Sequence, residues 1–204
     1  MGARSVFRCL PIIVAVACLL LAGCFGQSPS SRFYALTPAD VASEQGGGAE
    51  NPAIGIGPIH LADYLDQPRI VTRKDDHQLV RAEYDQWAGA FKDNVTSVLA
   101  ENIGHMLPTR KVYLYPWRRS LAVDYQVVVD IVRYDGTLGR DAWLVTRWSV
   151  FDGGDKSLLA ADRSSIREPV DGGGYAALVA AQSRALAQLS REIAEAIRQA
   201  ARKP

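Results

Sequence analysis

The three histidines are the first place to look for chemistry: His60, His77 and His105. His60 precedes Asp63 and Asp66, and His77 follows Asp75 and Asp76, so each group offers imidazole and carboxylate donors to a divalent metal. Neither spacing repeats a metal-site pattern, and Lys74-Asp75-Asp76-His77 reads first as the solvated tip of a hairpin. Asp162 with Ser164 and Ser165 offers a hydroxyl nucleophile, but no histidine neighbours them in sequence. Asp124 and Asp130 share one side of a strand-like run. At ~3.3 Å per residue they stand ~20 Å apart, and a carboxylate pair acting on one bond needs about 5–10 Å. Gly55-Ile56-Gly57 lacks the third glycine and the following helix of a dinucleotide fingerprint, and reads as a kinked strand. H-E-x-x-H, G-x-S-x-G, S-x-x-K, C-x-x-C and the phosphate-binding loop are all missing from the sequence. The expectation is a non-enzymatic protein with no metal and no cofactor.

One residue does carry a legible reaction. Arg4 and Arg8 precede an apolar run, roughly Leu10 to Ala22, with no acid before Cys24. The run is about a dozen residues, which suits a signal-peptide core and falls short of the ~20 that a spanning helix needs. Leu21-Ala22-Gly23-Cys24 then matches the lipobox of bacterial lipoproteins. That match implies acylation of the Cys24 thiol, cleavage before Cys24 and acylation of the new amino terminus. All three cysteines, Cys9, Cys18 and Cys24, lie in or at the end of this leader, so the mature domain has neither a free thiol nor a disulfide. One acyl chain binds a membrane marginally, whereas two or more hold it stably. The chain is therefore expected to be anchored without spanning. Phe25 stands where an aspartate would retain an enterobacterial lipoprotein at the inner membrane, which places this one at the outer membrane, facing the periplasm.

The chain carries 23 basic and 22 acidic residues, and losing Arg4 and Arg8 leaves it close to neutral. No basic excess points to nucleic acid. The mature length suits one domain with a real core. The expected division is a signal peptide over 1–23, an acylated tether over 24–31 and a single domain over 32–204.

The pattern after the tether alternates between strand and helix signals. Residues 32–38 read as a first strand, 39–52 as a Gly-rich loop and 53–61 as a strand weakened by its glycines. Residues 69–73 and 78–82 flank the charged tip as a hairpin. From Ala88 to Leu107, Phe91, Val95, Val98, Leu99, Ile103 and Met106 form one helical stripe, closed by Pro108, with Asp85 as a candidate N-cap. Residues 111–117 form a strand stopped at Pro116. Runs at 123–134, 142–151 and 157–167, separated by Asp135-Gly136 and Asp152-Gly153-Gly154, predict an antiparallel meander. After Gly172-Gly173-Gly174, Val179, Leu186, Leu189, Ile193 and Ile197 set the apolar face of a long helix over about 175–201. The expected class is α+β: a mainly antiparallel sheet with two helices packed on it.

The most specific segment spans Ile54 to Ile103, followed by 112–117. Leu65-Asp66-Gln67-Pro68, Ile70-Val71-Thr72-Arg73 and Glu83-Tyr84-Asp85-Gln86-Trp87-Ala88 carry it, with Asp93-Asn94-Val95, Leu99-Ala100-Glu101-Asn102 and Tyr115-Pro116-Trp117. These residues resemble the PqiC-type (YmbA-like) auxiliary lipoproteins of ABC-type and MCE transport systems. Gly89-Ala90 departs from the Glu-Pro that relatives often carry after Trp-Ala. The resemblance implies a non-catalytic subunit at the outer membrane that docks the periplasmic MCE-domain component of a lipid transporter, and a homo-oligomer. Trp87, Tyr115 and Trp117 are candidate contacts because Trp and Tyr dominate interface energetics. The other reading makes them core residues beneath the first helix. Arg69 and Arg73 alternate with Ile70 and Thr72, giving either a polar edge for a partner or a solvated face. An assembly factor for another envelope machine, and a periplasmic hydrolase whose site is assembled by folding, are the alternative functions.

Overall fold

The computed structural model describes residues 30–40, 51–107, 109–118 and 120–202. Cys24, the leader and the tether through residue 29 lie outside the described residues, as do Pro108 and most of the loop expected at 39–52. Ser31–Pro204 forms one compact unit.

The described elements, in chain order, are β1 (Arg32–Tyr34), β2 (Ile54–Leu61), a 3-10 turn (Asp63–Leu65), β3 (Arg69–Arg73) and β4 (Leu79–Trp87). There follow α1 (Phe91–Met106), β5 (Val112–Leu114), β6 (Tyr125–Thr137), β7 (Asp141–Asp152), β8 (Leu158–Pro169) and α2 (Tyr175–Ala201). Both helices and the α+β class agree with the sequence reading. The β3–β4 hairpin and the β6–β7–β8 meander pair antiparallel as expected. Asp135-Gly136, however, is not a turn: both residues lie inside β6, paired with Trp143 and Ala142. The chain reverses at 138–140 instead, because the strand pairing continues through Asp135 to Thr137.

The sheets are nevertheless mixed. β1 runs parallel to β4, and β2 runs parallel to both β5 and β6. The result is a five-stranded sheet ordered β5-β2-β6-β7-β8 and a three-stranded sheet ordered β1-β4-β3. A turn between neighbours records strand direction in the sequence. A strand such as β2, which meets β6 only after a helix and several strands have intervened, leaves no such local record.

Both helices lie on the same face of the five-stranded sheet. Leu178, Leu186, Leu189, Ile193 and Ile197 of α2 are buried against β6, β7 and β8. Ala181, Ala185 and Ala194, equally buried, let the helix approach closely. Phe91, Val95, Val98, Leu99, Ile103 and Met106 of α1 cover β2 and β5 and touch α2. Each large aliphatic side chain taken out of water in this way contributes about 1.5–3 kcal/mol. Tyr134, fully buried, donates from its hydroxyl to the Gln182 carbonyl at 2.7 Å and so ties β6 to α2.

Asp85 is not the N-cap of α1. β4 runs to Trp87, the chain bends at Ala88-Gly89, and Ala90 caps the helix without a side-chain hydrogen bond, while Asp85 sits inside β4 with 3 % exposure. Its carboxylate is taken by tertiary partners described below, which a local capping pattern cannot foresee. No helix among the described residues is long and apolar enough to cross a membrane.

Candidate functional site

The two glycines of β2 are explained by what lies over them. A Cβ built on Gly55 would stand 2.5 Å from the Trp117 ring, and one on Gly57 would stand 2.7 Å from Tyr115 Cβ. The aromatics therefore pack on bare backbone. Gly57 also holds φ +116°, a conformation that L side chains rarely adopt, next to the register shift between Ile56 and Ile59. The kink expected from these glycines is present, and its use is to seat a pair of rings. Tyr115 and Trp117 meet edge-to-face at 5.7 Å. Tyr115 is 55 % exposed and its neighbour Leu114 43 %. An exposed tyrosine beside a half-buried tryptophan, both seated on strand backbone, matches the side chains that anchor protein contacts. A signal for this was present in the sequence: Gly-x-Gly in one strand and Tyr-x-Trp just beyond another share the period of two at which side chains share a sheet face.

The other candidates lie elsewhere. Arg69 is exposed at the start of β3. Arg73, at the end of the same strand, is turned inward. Its guanidinium donates to Asp135 from Nε at 3.2 Å and from Nη2 at 2.9 Å. Arg133 adds a bond at 2.8 Å and the Tyr64 hydroxyl another at 2.9 Å, and the Asp135 side chain is wholly buried. Burial first, then the Asp135 carboxylate, pushes the Tyr64 phenol up to about 12. This is a joint between β3 and β6, with every carboxylate oxygen occupied. Trp87 is in the core, 6 % exposed and stacked on Phe91 at 4.2 Å. Among the five candidates, only Tyr115 and Trp117 come together.

The motif residues have a different use. Asp85 accepts from the Tyr34 hydroxyl at 2.7 Å and from Arg32 at 2.8 Å. Asn94 accepts the Leu36 N–H at 2.7 Å and returns a bond to the Leu36 carbonyl at 3.3 Å. Asn102, fully buried, accepts the Ala39 N–H at 2.8 Å and donates to Ser190 at 3.3 Å. Asn94 and Asn102 lie eight residues apart on one face of α1, two turns or ~12 Å along its axis. Together these three clip residues 32–39 onto the rest of the domain. In the sequence Asn94 and Asn102 stand only as members of the family-like motifs, with no such use assigned to them. The pattern that carries it, two amides at helical spacing, is legible only once the extended segment is known to lie alongside.

The possible chemistry of the sequence is otherwise accounted for. The Asp75 carboxylate accepts the backbone N–H groups of His77 and Gln78 at 2.9 and 2.8 Å, closing the hairpin turn and holding its own pKa down. Ser164, 6 % exposed, accepts from Trp148 and donates to Glu192 between β8 and α2. Among the described residues, no three His, Cys, Asp or Glu side chains gather as metal ligands.

Residues 34–194 match the family described as ABC-type transport auxiliary lipoprotein component. Comparison with curated proteins finds no match. Among solved structures, a protein of Xanthomonas campestris superposes with a TM-score of 0.68 at 19 % identity, over 85 % of this chain and 100 % of that one. An uncharacterized protein superposes equally, with a TM-score of 0.68 at 18 % identity, over 83 % of this chain and 99 % of the other. These likenesses are of fold.

Proposed function

The chain belongs to the ABC-type transport auxiliary lipoproteins, and from that membership we propose that it is a non-catalytic docking subunit of an intermembrane lipid transporter. In this reading Cys24 is acylated, the leader 1–23 is removed, and the domain 32–204 faces the periplasm from the outer membrane on the tether 24–31. The domain holds the MCE-domain component of the transporter there. The observation that carries the reading is the open aromatic pair, Tyr115 and Trp117, seated on glycine backbone. It supplies large apolar contact area at low conformational cost. Arg69, exposed on β3, is a secondary candidate. Arg73 and Trp87 enter only as supports, since one is tied to Asp135 and the other is buried.

Photoreactive residues at Tyr115, Trp117 and Arg69 in intact cells test the docking surface. Capture of an MCE-domain protein from Tyr115 or Trp117, and weaker capture from Arg69, is the expected result. Absence of any capture, with the protein present and anchored, overturns this surface. Cys24→Ser removes the acyl label and releases the chain from the membrane fraction if the anchor is as proposed. Unchanged fractionation overturns the anchor.

A further inference from the structure

β5 is an edge strand of unusual character. Lys111 offers its carbonyl to Ile54, and the Tyr115 N–H reaches the Ile56 carbonyl at 2.9 Å. A parallel ladder uses alternate residues, so the N–H and C=O groups of Val112 and Leu114 point away from β2, on the side where no strand borders β5. Natural edges are usually blunted by charge or proline. β8, the opposite edge of the same sheet, follows that rule with Asp162, Arg163, Arg167 and Pro169. β5 reads Val-Tyr-Leu, with Leu114 43 % exposed.

Beside that bare edge runs a groove of about 690 Å³, walled by α1 and β5. Ala100, Gly104, Val112 and Leu114 give it an apolar floor, with Ser97 and Glu101 along the helix side. Gly104 brings the helix close, since a Cβ there would lie 3.2 Å from Val112 Cγ2. His105 lines the same wall, and its Nδ1 is buried without a protein partner. Arg110 lines the end of the groove at the start of β5, and Lys111 follows it. Both are exposed, and neither is in an ion pair among the described residues. The sole acid in the lining is Glu101, itself exposed on the helix.

We propose that an extended segment of a protein partner adds to the outer edge of β5 as an antiparallel strand, lying in the groove against α1. The edge groups of Val112 and Leu114 supply its main-chain hydrogen bonds, as in other strand-addition sites. Alternate apolar side chains of the segment fill the floor between Ala100 and Leu114. The remaining ones turn to the opposite sheet face, the one that carries Tyr115. Charge sets the direction. A carboxylate on the segment pairs with Arg110 and Lys111 where β5 begins, so the acidic end of the segment is its C-terminal end. This inference deepens the docking reading and rests on it for the partner's identity, but its geometry stands on β5 and α1 alone.

The test uses the full-length lipoprotein in lipid nanodiscs and a random dodecapeptide library displayed with free carboxyl termini. Selected peptides should alternate apolar residues and end in a carboxylate. Leu114→Pro removes one outward N–H while leaving the β2 ladder intact, and should weaken binding about tenfold or more. Ser97→Trp fills the groove mouth and should do the same, while Arg110→Glu should abolish the preference for a carboxylate. Amidated peptides separate a terminal carboxylate from an acidic side chain as its source. Thermal melts of each variant confirm folding. Binding that is unaffected by both Leu114→Pro and Ser97→Trp in folded protein overturns the proposal, as does a library that yields no binder. A photoreactive residue at Leu114 that captures only a second copy of this chain overturns it as well. If Trp117 captures an MCE-domain protein while Leu114→Pro changes nothing, docking stands and strand addition falls. Peptides that require Leu114 without MCE capture leave strand addition standing and remove the docking reading.

Discussion

β1 and β5 are alike in the ways a sheet diagram records. Each is three residues long, each is an edge strand, and each pairs in parallel with one neighbour. They differ in what side chains do for them. β1 and the residues after it are held by Asp85, Asn94 and Asn102, which bond to side chains and backbone from Arg32 to Ala39. β5 has backbone pairing on one side and an open groove on the other. A three-residue parallel strand is too short to hold itself by its ladder alone. The first is tied down by three side chains of β4 and α1. The second is left open, and an edge left open with apolar side chains has a use or is a hazard.

The difference can be broken from the strap side first. Asn102→Ala removes two hydrogen bonds from a fully buried position, leaving the Ala39 N–H without its acceptor and the Ser190 hydroxyl, which still donates to the Leu186 carbonyl, without its donor. It should cost about 3 kcal/mol, read as a shift in the denaturation midpoint. Asp85→Ala should cost about 2 kcal/mol, since Tyr34 loses a bond to a charged group while Arg32 is mostly exposed already. Hydrogen exchange at residues 32–34 should speed up in both variants while the amides of β7 stay protected. Uniform loss of protection would show that the strap is part of one cooperative unit with the sheet.

Alkaline pH probes the same clip without mutation. Burial, then the Asp85 carboxylate, raises the Tyr34 phenol above its usual 10.0. A raised pKa in the folded state means that this contribution to stability is complete below pH 10.0 and is lost as pH climbs through the folded value. Tyr64, at about 12, behaves in the same way beside Asp135. The melting temperature should therefore fall above pH 10, and Tyr34→Phe and Tyr64→Phe should each flatten part of that fall. A flat profile between pH 10 and 12 in the unmodified protein would remove both phenols from the stability account.

The smallest effect is expected at β5. Tyr115→Ala should change stability by about 0.5 kcal/mol or less, because the side chain is 55 % exposed. The same change should abolish capture of the partner. A large loss of stability at Tyr115 would turn the aromatic pair into a structural cover for Gly55 and Gly57, and the contrast with β1 would vanish.

Much was legible before any coordinates. The two helices follow from apolar residues at helical spacing, and α2 ends at Ala201 as the pattern predicts. The hairpin and the antiparallel order of the meander follow from alternating strand-like runs, although the Asp135-Gly136 pair expected as a turn continues β6 instead. These are local signals, and local chemistry decides them. The parallel pairings and the inward turn of Arg73 were not legible in the same way, whereas the burial of Trp87 is one of the two readings its sequence context offered. Arg69 and Arg73 sit four residues apart in one strand, yet only Arg73 faces Asp135, which lies 62 positions away along the chain. Asp85 looks like a helix cap until Tyr34 and Arg32 are beside it.

The sequence by itself determined the class of the fold, the order of its elements and the family motifs. Period, turn chemistry and residue type are sufficient for these because each is set within a few neighbouring residues. Only the tertiary structure decided which motif residues clip the N-terminal segment, which aromatics remain open and which edge strand has no neighbour. Those outcomes depend on pairs far apart in the chain, where burial and hydrogen bonding select one partner among many of the same type, and no spacing along the chain records that choice.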